Sequence, residues 1–198
     1  MVKKIVGTGV LLVLALALQA GVKMYTLKSP DGKVKLEVTA GQGIAYSLFY
    51  DGRLLLKPSR IALHTDLPEA DHWENIRITG TKQRHVSETV QAPFYRVKEF
   101  GIDCNELELR LNNGFLLLMR AYNDGMAYRF VAGRKGEMTV VEERAEFNFA
   151  DDFEAYIPYS TNPKDPWNMA FQNFYTKAPL TQYNTELPCL LYTSDAAD

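Results

Sequence analysis

The chain has 198 residues, 46% of them hydrophobic, and 22 Lys+Arg against 24 Asp+Glu give a formal net charge of −2. That is enough apolar chain for one buried core, and the near-neutral balance supplies no basic footprint for nucleic acid or an anionic membrane surface. With Cys189 in a divergent tail and Cys104 alone before it, a disulfide-stapled scaffold is excluded.

In chain order, Lys3 and Lys4 precede an apolar run from Ile5 to Leu18, and small residues stand at Ala15, Ala17 and Ala20. This is the pattern of a secretory signal over residues 1–20, so export is expected, and no Cys follows that could carry a lipid anchor. Period-two alternation then takes over. In Lys33 to Val38 and in Glu106 to Leu111 the apolar residues share one face and the charges the other, as in half-buried antiparallel strands. Further strands are predicted over Ile44 to Tyr50, Arg53 to Leu56, Arg60 to Thr65, Ile76 to Lys82, His85 to Val90 and Tyr95 to Ile102. Beyond them come Phe115 to Tyr122, Met126 to Ala132, Met138 to Phe149 and Ala155 to Ile157.

Turn chemistry falls between these runs at Asp31-Gly32, Asp51-Gly52, Asn112-Asn113-Gly114 and Asp124-Gly125, and the last of these is expected to need φ > 0 near its glycine. Many short strands, short turns and no long amphipathic helix predict an all-β antiparallel sandwich. One helical turn is expected around Asp151 to Glu154. A long loop from Pro158 to Trp167 precedes an apolar segment from Ala170 to Tyr175. Residues 189–198 break the character of the chain and resemble one reading frame of a sequencing adapter, so the expected domain covers residues 21–188.

Little of the chemistry is compact. His64, His72 and His85 have no metal-site spacing and read as scattered strand-end or surface residues. Asp66, Glu69, Asp71 and His72 beside Trp73 lack the ordered spacing of a calcium loop and read as a solvated acidic loop; Asp151, Asp152 and Glu154 read the same way. There is no P-loop, no G-x-S-x-G and no dinucleotide fingerprint. The aromatic set Tyr156, Tyr159, Trp167, Phe171, Phe174 and Tyr175 has the chemistry to stack on sugar rings, with core packing as the commoner use of such residues. Trp167 is the candidate substrate-binding residue.

The run Arg120-Ala121-Tyr122-Asn123-Asp124-Gly125-Met126-Ala127-Tyr128-Arg129-Phe130 resembles a hairpin in the N-terminal domain of glycoside hydrolase family 97. Ser29 to Lys33, Tyr46 to Gly52 with Ser59, and Tyr175 with Ala178-Pro179-Leu180-Thr181 are similar to that domain in the same order, over about residues 27 to 180. The resemblance implies a galactose-mutarotase-like super-sandwich, incomplete at its C-terminal end. It would belong to a secreted, periplasmic, exo-acting α-glucosidase or α-galactosidase whose catalytic barrel lies downstream.

It also implies α-linked oligosaccharide as substrate, the barrel as the sandwich's partner, and calcium near an active site whose carboxylates lie on the barrel. No catalytic residue is then expected in this chain, and the fragment alone is expected to be inactive. At the position where the family supplies a calcium-binding glutamate stands Gln172, which offers a neutral carbonyl oxygen and no charge. Arg120, Asp124, Gly125 and Arg129 are expected to hold the sandwich together. A stand-alone secreted carbohydrate-binding sandwich is the alternative.

Overall fold

The computed structural model describes residues 23–94, 96–133, 136–159, 164 and 174–182. Among them every extended element is a strand, from β1 to β11. The first unit, ending at Asn148, holds two antiparallel sheets. One has the order β1 (Lys23–Lys28), β2 (Val34–Gly41), β3 (Gly43–Tyr50), β4 (Arg53–Thr65) and β9 (Val140–Ala145). The other has the order β5 (Ile78–Gln91), β6 (Glu99–Leu111), β7 (Phe115–Ala121) and β8 (Met126–Ala132).

The core lies between them, as the sequence alternation requires. β2 sends Val34, Leu36 and Val38 inward, and β6 and β7 answer with Leu107, Leu109, Leu117 and Met119, all at most 2% exposed. Burying a side chain of this size is worth roughly 1.5–3 kcal/mol, so these facing stripes fix the strand register. Tyr46 is buried in the same layer; its ring lies 6.2 Å from that of Tyr128 and its hydroxyl donates to the Glu146 carbonyl at 3.2 Å.

The segment between β4 and β5 closes one end of the core. Trp73 stacks on Phe115 at 5.9 Å, meets Phe130 edge-on at 5.3 Å, and donates its indole N–H to the Leu63 carbonyl at 3.2 Å. Its acidic residues are engaged in shaping the loop. Asp66 accepts from the Thr139 amide at 2.9 Å, and Asp71 pairs with His64 at 2.7 Å.

Several predicted boundaries change. Arg53 to Leu56 and Arg60 to Thr65 are one strand, because Leu48 pairs with Leu56 and Tyr46 with Ser59, so Lys57 and Pro58 bulge opposite Ser47. The bulge accommodates a proline that has no N–H for the ladder. Ile76 to Lys82 and His85 to Val90 likewise merge into β5, and β6 runs unbroken from Glu99 to Leu111. β1 has no counterpart among the predicted strands.

The second unit begins at Phe149. In it β10 (Glu154–Ile157) pairs with β11 (Thr176–Pro179), followed by a 3-10 turn over Leu180–Gln182. The expected helical turn over Asp151 to Glu154 is absent. Asp152 instead accepts from the Thr181 amide at 2.9 Å and hydroxyl at 2.7 Å, a contact that holds this segment in irregular backbone ahead of β10.

Candidate functional site

The polar centre of the described chain lies on the outer face of the four-stranded sheet. Alternation turns Leu117, Met119 and Ala121 of β7 into the core, which leaves Arg120 on the opposite face. Register sets it beside Glu106 of β6, and Glu106 in turn beside Arg84 of β5. Arg84 Nε donates to Glu106 Oε1 at 2.7 Å and Arg120 Nε to Oε2 at 2.8 Å, so each carboxylate oxygen receives one guanidinium donor.

Glu106 is only 3% exposed. Burial pushes its carboxyl upward, but the hydrogen bonds and charges of Arg84 and Arg120 outweigh that and hold it below the ordinary carboxylate range. Arg120 is raised by its bond to Glu106, with Tyr122 adding to the effect. Beside them on the same face, Cys104 is fully buried and burial raises its thiol, the opposite of what a reactive cysteine needs. A carboxylate locked as an anion by two cations cannot serve as a proton donor at neutral pH. This centre ties three strands together and is unsuited to acid catalysis.

The remaining residues of the hairpin fall around it. Arg129, paired across from Leu118, lines a hollow of about 170 Å³ with Arg120, Tyr122 and Tyr128. Asp124 and Gly125 lie in the connection from β7 to β8, where the Tyr122 amide donates to the Gly125 carbonyl at 2.9 Å. Gly125 does not have the positive φ expected of it, since a four-residue connection turns the chain without a left-handed glycine. The neighbouring Asn123 carries the structural contact: its Oδ1 accepts from the Asp31 amide at 3.0 Å and links the turns of the two sheets.

Trp167 and Gln172 lie outside the described residues, as does Phe171. Of the aromatic set, Tyr156, Phe174 and Tyr175 are exposed, so these three are not core residues. Among the described residues no group of three or more His, Cys, Asp and Glu side chains could hold a metal ion. The acidic clusters are spent on Thr139, His64, Thr181 and Lys177, so the described part of the sandwich does not fit a calcium site by itself.

Sequence reasoning took Glu106 for one more outward charge of an alternating strand. Its burial follows from two arginines 22 residues before it and 14 after it, and only the register brings them together.

The fold and this centre define an antiparallel two-sheet sandwich whose principal ionic network is architectural. Residues 27–197 match the Glycosyl-hydrolase 97 N-terminal family, and the chain belongs to it. It is 38% identical over 190 residues to a retaining alpha-galactosidase of Bacteroides thetaiotaomicron, covering 92% of this chain and 28% of that protein. Among solved structures, a beta-arabinopyranosidase superposes with a TM-score of 0.64 at 22% identity, over 77% of this chain and 26% of that one. A glycoside hydrolase family 97 enzyme from Pseudoalteromonas sp. strain K8, in complex with panose, gives 0.62 at 16% identity, over 80% of this chain and 25% of that one. The chain thus spans about a quarter of the length of the proteins it matches.

Proposed function

We propose that this chain is the N-terminal sandwich of an exo-acting α-glycosidase that hydrolyses α-linked oligosaccharides, packing on and helping to shape a catalytic barrel encoded downstream. The observation that carries the reading is the 38% identity to a retaining alpha-galactosidase across 92% of this chain. The same identity favours galactosides over glucosides and retention over inversion. Export to the periplasm and a calcium ion near the active site belong to the same reading. The calcium ligands come chiefly from outside the described sandwich, because among the described residues no group of three or more His, Cys, Asp and Glu side chains could hold the ion.

In this reading the sandwich contributes shape and stability, and the pair of carboxylates needed for glycoside hydrolysis lies on the barrel. The charge-locked Glu106 accords with that division. The test is to read the genomic locus beyond Pro188 and assay the complete protein on aryl α-galactoside and α-glucoside. Cleavage of the galactoside by the complete protein, with none by the 198-residue chain, is expected. A stop codon with no barrel behind it, together with glycan binding by the sandwich, would establish the stand-alone binding module instead.

A further inference from the structure

β5 and β6 outrun the sheet they belong to. β7 pairs with β6 only from Asn105 to Arg110, so the pairs from Val86–Cys104 to Gln91–Glu99 form a two-stranded ribbon with no third strand among the described residues. At a strand's rise per residue this arm is about 20 Å long. Alternation gives it two unlike faces. Ser87, Thr89 and Gln91 share one with Asp103 and Glu99, and Gln91 Nε2 donates to Glu99 Oε1 at 2.8 Å. Val86 and Val90 share the other with Phe100, Ile102 and Cys104, and its one charge, Glu88, interacts with Arg84.

Exposure along the apolar face rises outward. Val86 is 7% exposed and Val90 40%, and the connection beyond adds Phe94, wholly exposed, and Val97, half exposed. A two-stranded ribbon with one apolar side is marginal in water and gains stability when that side is covered. We propose that the apolar face of this arm is a docking surface for the catalytic part of the complete protein, an inference that rests on the downstream barrel proposed above. The retaining alpha-galactosidase is matched over only 28% of its length, so that relative has ample further chain with which to cover such an arm.

Other occupants fit less well. An anionic lipid surface calls for a basic cluster, whereas Arg96 and Lys98 at the tip are followed by Glu99 and the chain carries −2. A second copy would be held by a few apolar side chains, where a stable interface between separate chains takes about 20–30 residues a side. A domain of the same polypeptide needs less area, because the linkage has already removed most of its translational freedom. The receiving surface is accordingly an apolar patch on that domain, opposite Val90 and Phe94.

The experiment is limited trypsin digestion of the complete protein, read by mass spectrometry at the bonds after Arg96 and Lys98, both exposed at the tip of the arm in this chain. With the arm docked, these bonds are expected to resist. Val90→Asp puts a carboxylate into the covered face and should speed their cleavage about tenfold, since cutting follows the population of the open arm. Thr89→Asp, one residue away on the polar face, should leave the rate within about twofold and controls for damage to the ribbon itself. Equal rates in the two variants, or free cutting of the tip in an unaltered protein that still cleaves α-galactoside, would overturn the docking face alone. A locus with no barrel beyond Pro188 would remove it together with the glycosidase reading.

Discussion

Of the hairpins of this sandwich that carry an Asp-Gly dipeptide, those at Asp51-Gly52 and Asp124-Gly125 use it differently. At Asp51-Gly52, Tyr50 pairs directly with Arg53 and both central residues are left-handed, with φ of 47° and 79°. That is the two-residue turn whose twist suits antiparallel strands, and the dipeptide is the reason it forms. At Asp124-Gly125, Ala121 pairs with Met126 across a four-residue connection in which the glycine has no positive φ. There the strands hold the turn. Arg120 is anchored on Glu106, and Asn123 on the Asp31 amide. A dipeptide therefore signals a turn, but the loop length decides whether the turn organises the hairpin or merely follows it.

The contrast can be broken at either hairpin. The largest effect is expected from Arg120→Ala, which leaves the buried Glu106 with the exposed Arg84 as its remaining guanidinium; urea denaturation should show a loss of about 2–3 kcal/mol. The same network sets an acid limb. Glu106 is depressed in the folded state, so its contribution is present above the ordinary carboxylate range and is lost as pH falls through its lowered range. Asp31, Asp66, Glu146 and Asp152 are lowered as well, so the informative quantity is the difference between the natural chain and Glu106→Gln. That difference should shrink between about pH 7 and about pH 3, near and below the carboxylate range. A difference that grows on acidification would show that Glu106 is not held as an anion.

Smaller effects test the turns themselves. Gly52→Ala places a Cβ at a φ of 79° and should cost about 1 kcal/mol, although nothing lies within 4 Å of the added atom. Gly125→Ala meets the same open space without the positive φ, and should leave the urea midpoint within about 0.5 kcal/mol of the natural chain. Equal costs at the two glycines would remove the distinction between the hairpins.

The fold was legible wherever one face of a strand is buried. Val34 to Gly41 alternates buried and half-buried without a break, and its pattern in the sequence is equally regular. β5 was harder, because of its residues only Val86 is fully buried; with so little apolar pattern it was read as two strands. β1 is short and mostly exposed, and its contacts with Gln83 and Asn105 are separated from it by 57 and 77 residues, so no local signal announces it. A helical turn is expected around Asp151 to Glu154, whereas the partner that holds Asp152, Thr181, lies 29 residues on.

The candidate site divides along the same line. Arg120 donates to Glu106 across the sheet, while Gly125 lacks the left-handed backbone that its dipeptide announced. Glu106 itself was hidden, because a buried anion in an alternating strand looks like any outward charge until the neighbouring strands are in register.

The central claim is that the hairpin from Arg120 to Phe130 is an architectural clamp working through one ion pair. A double-mutant cycle between Arg120 and Glu106, read by urea denaturation of Arg120→Ala, Glu106→Ala and the pair, tests it most directly. The account predicts a coupling of about 1–3 kcal/mol; additive losses, within about 0.5 kcal/mol, would contradict it.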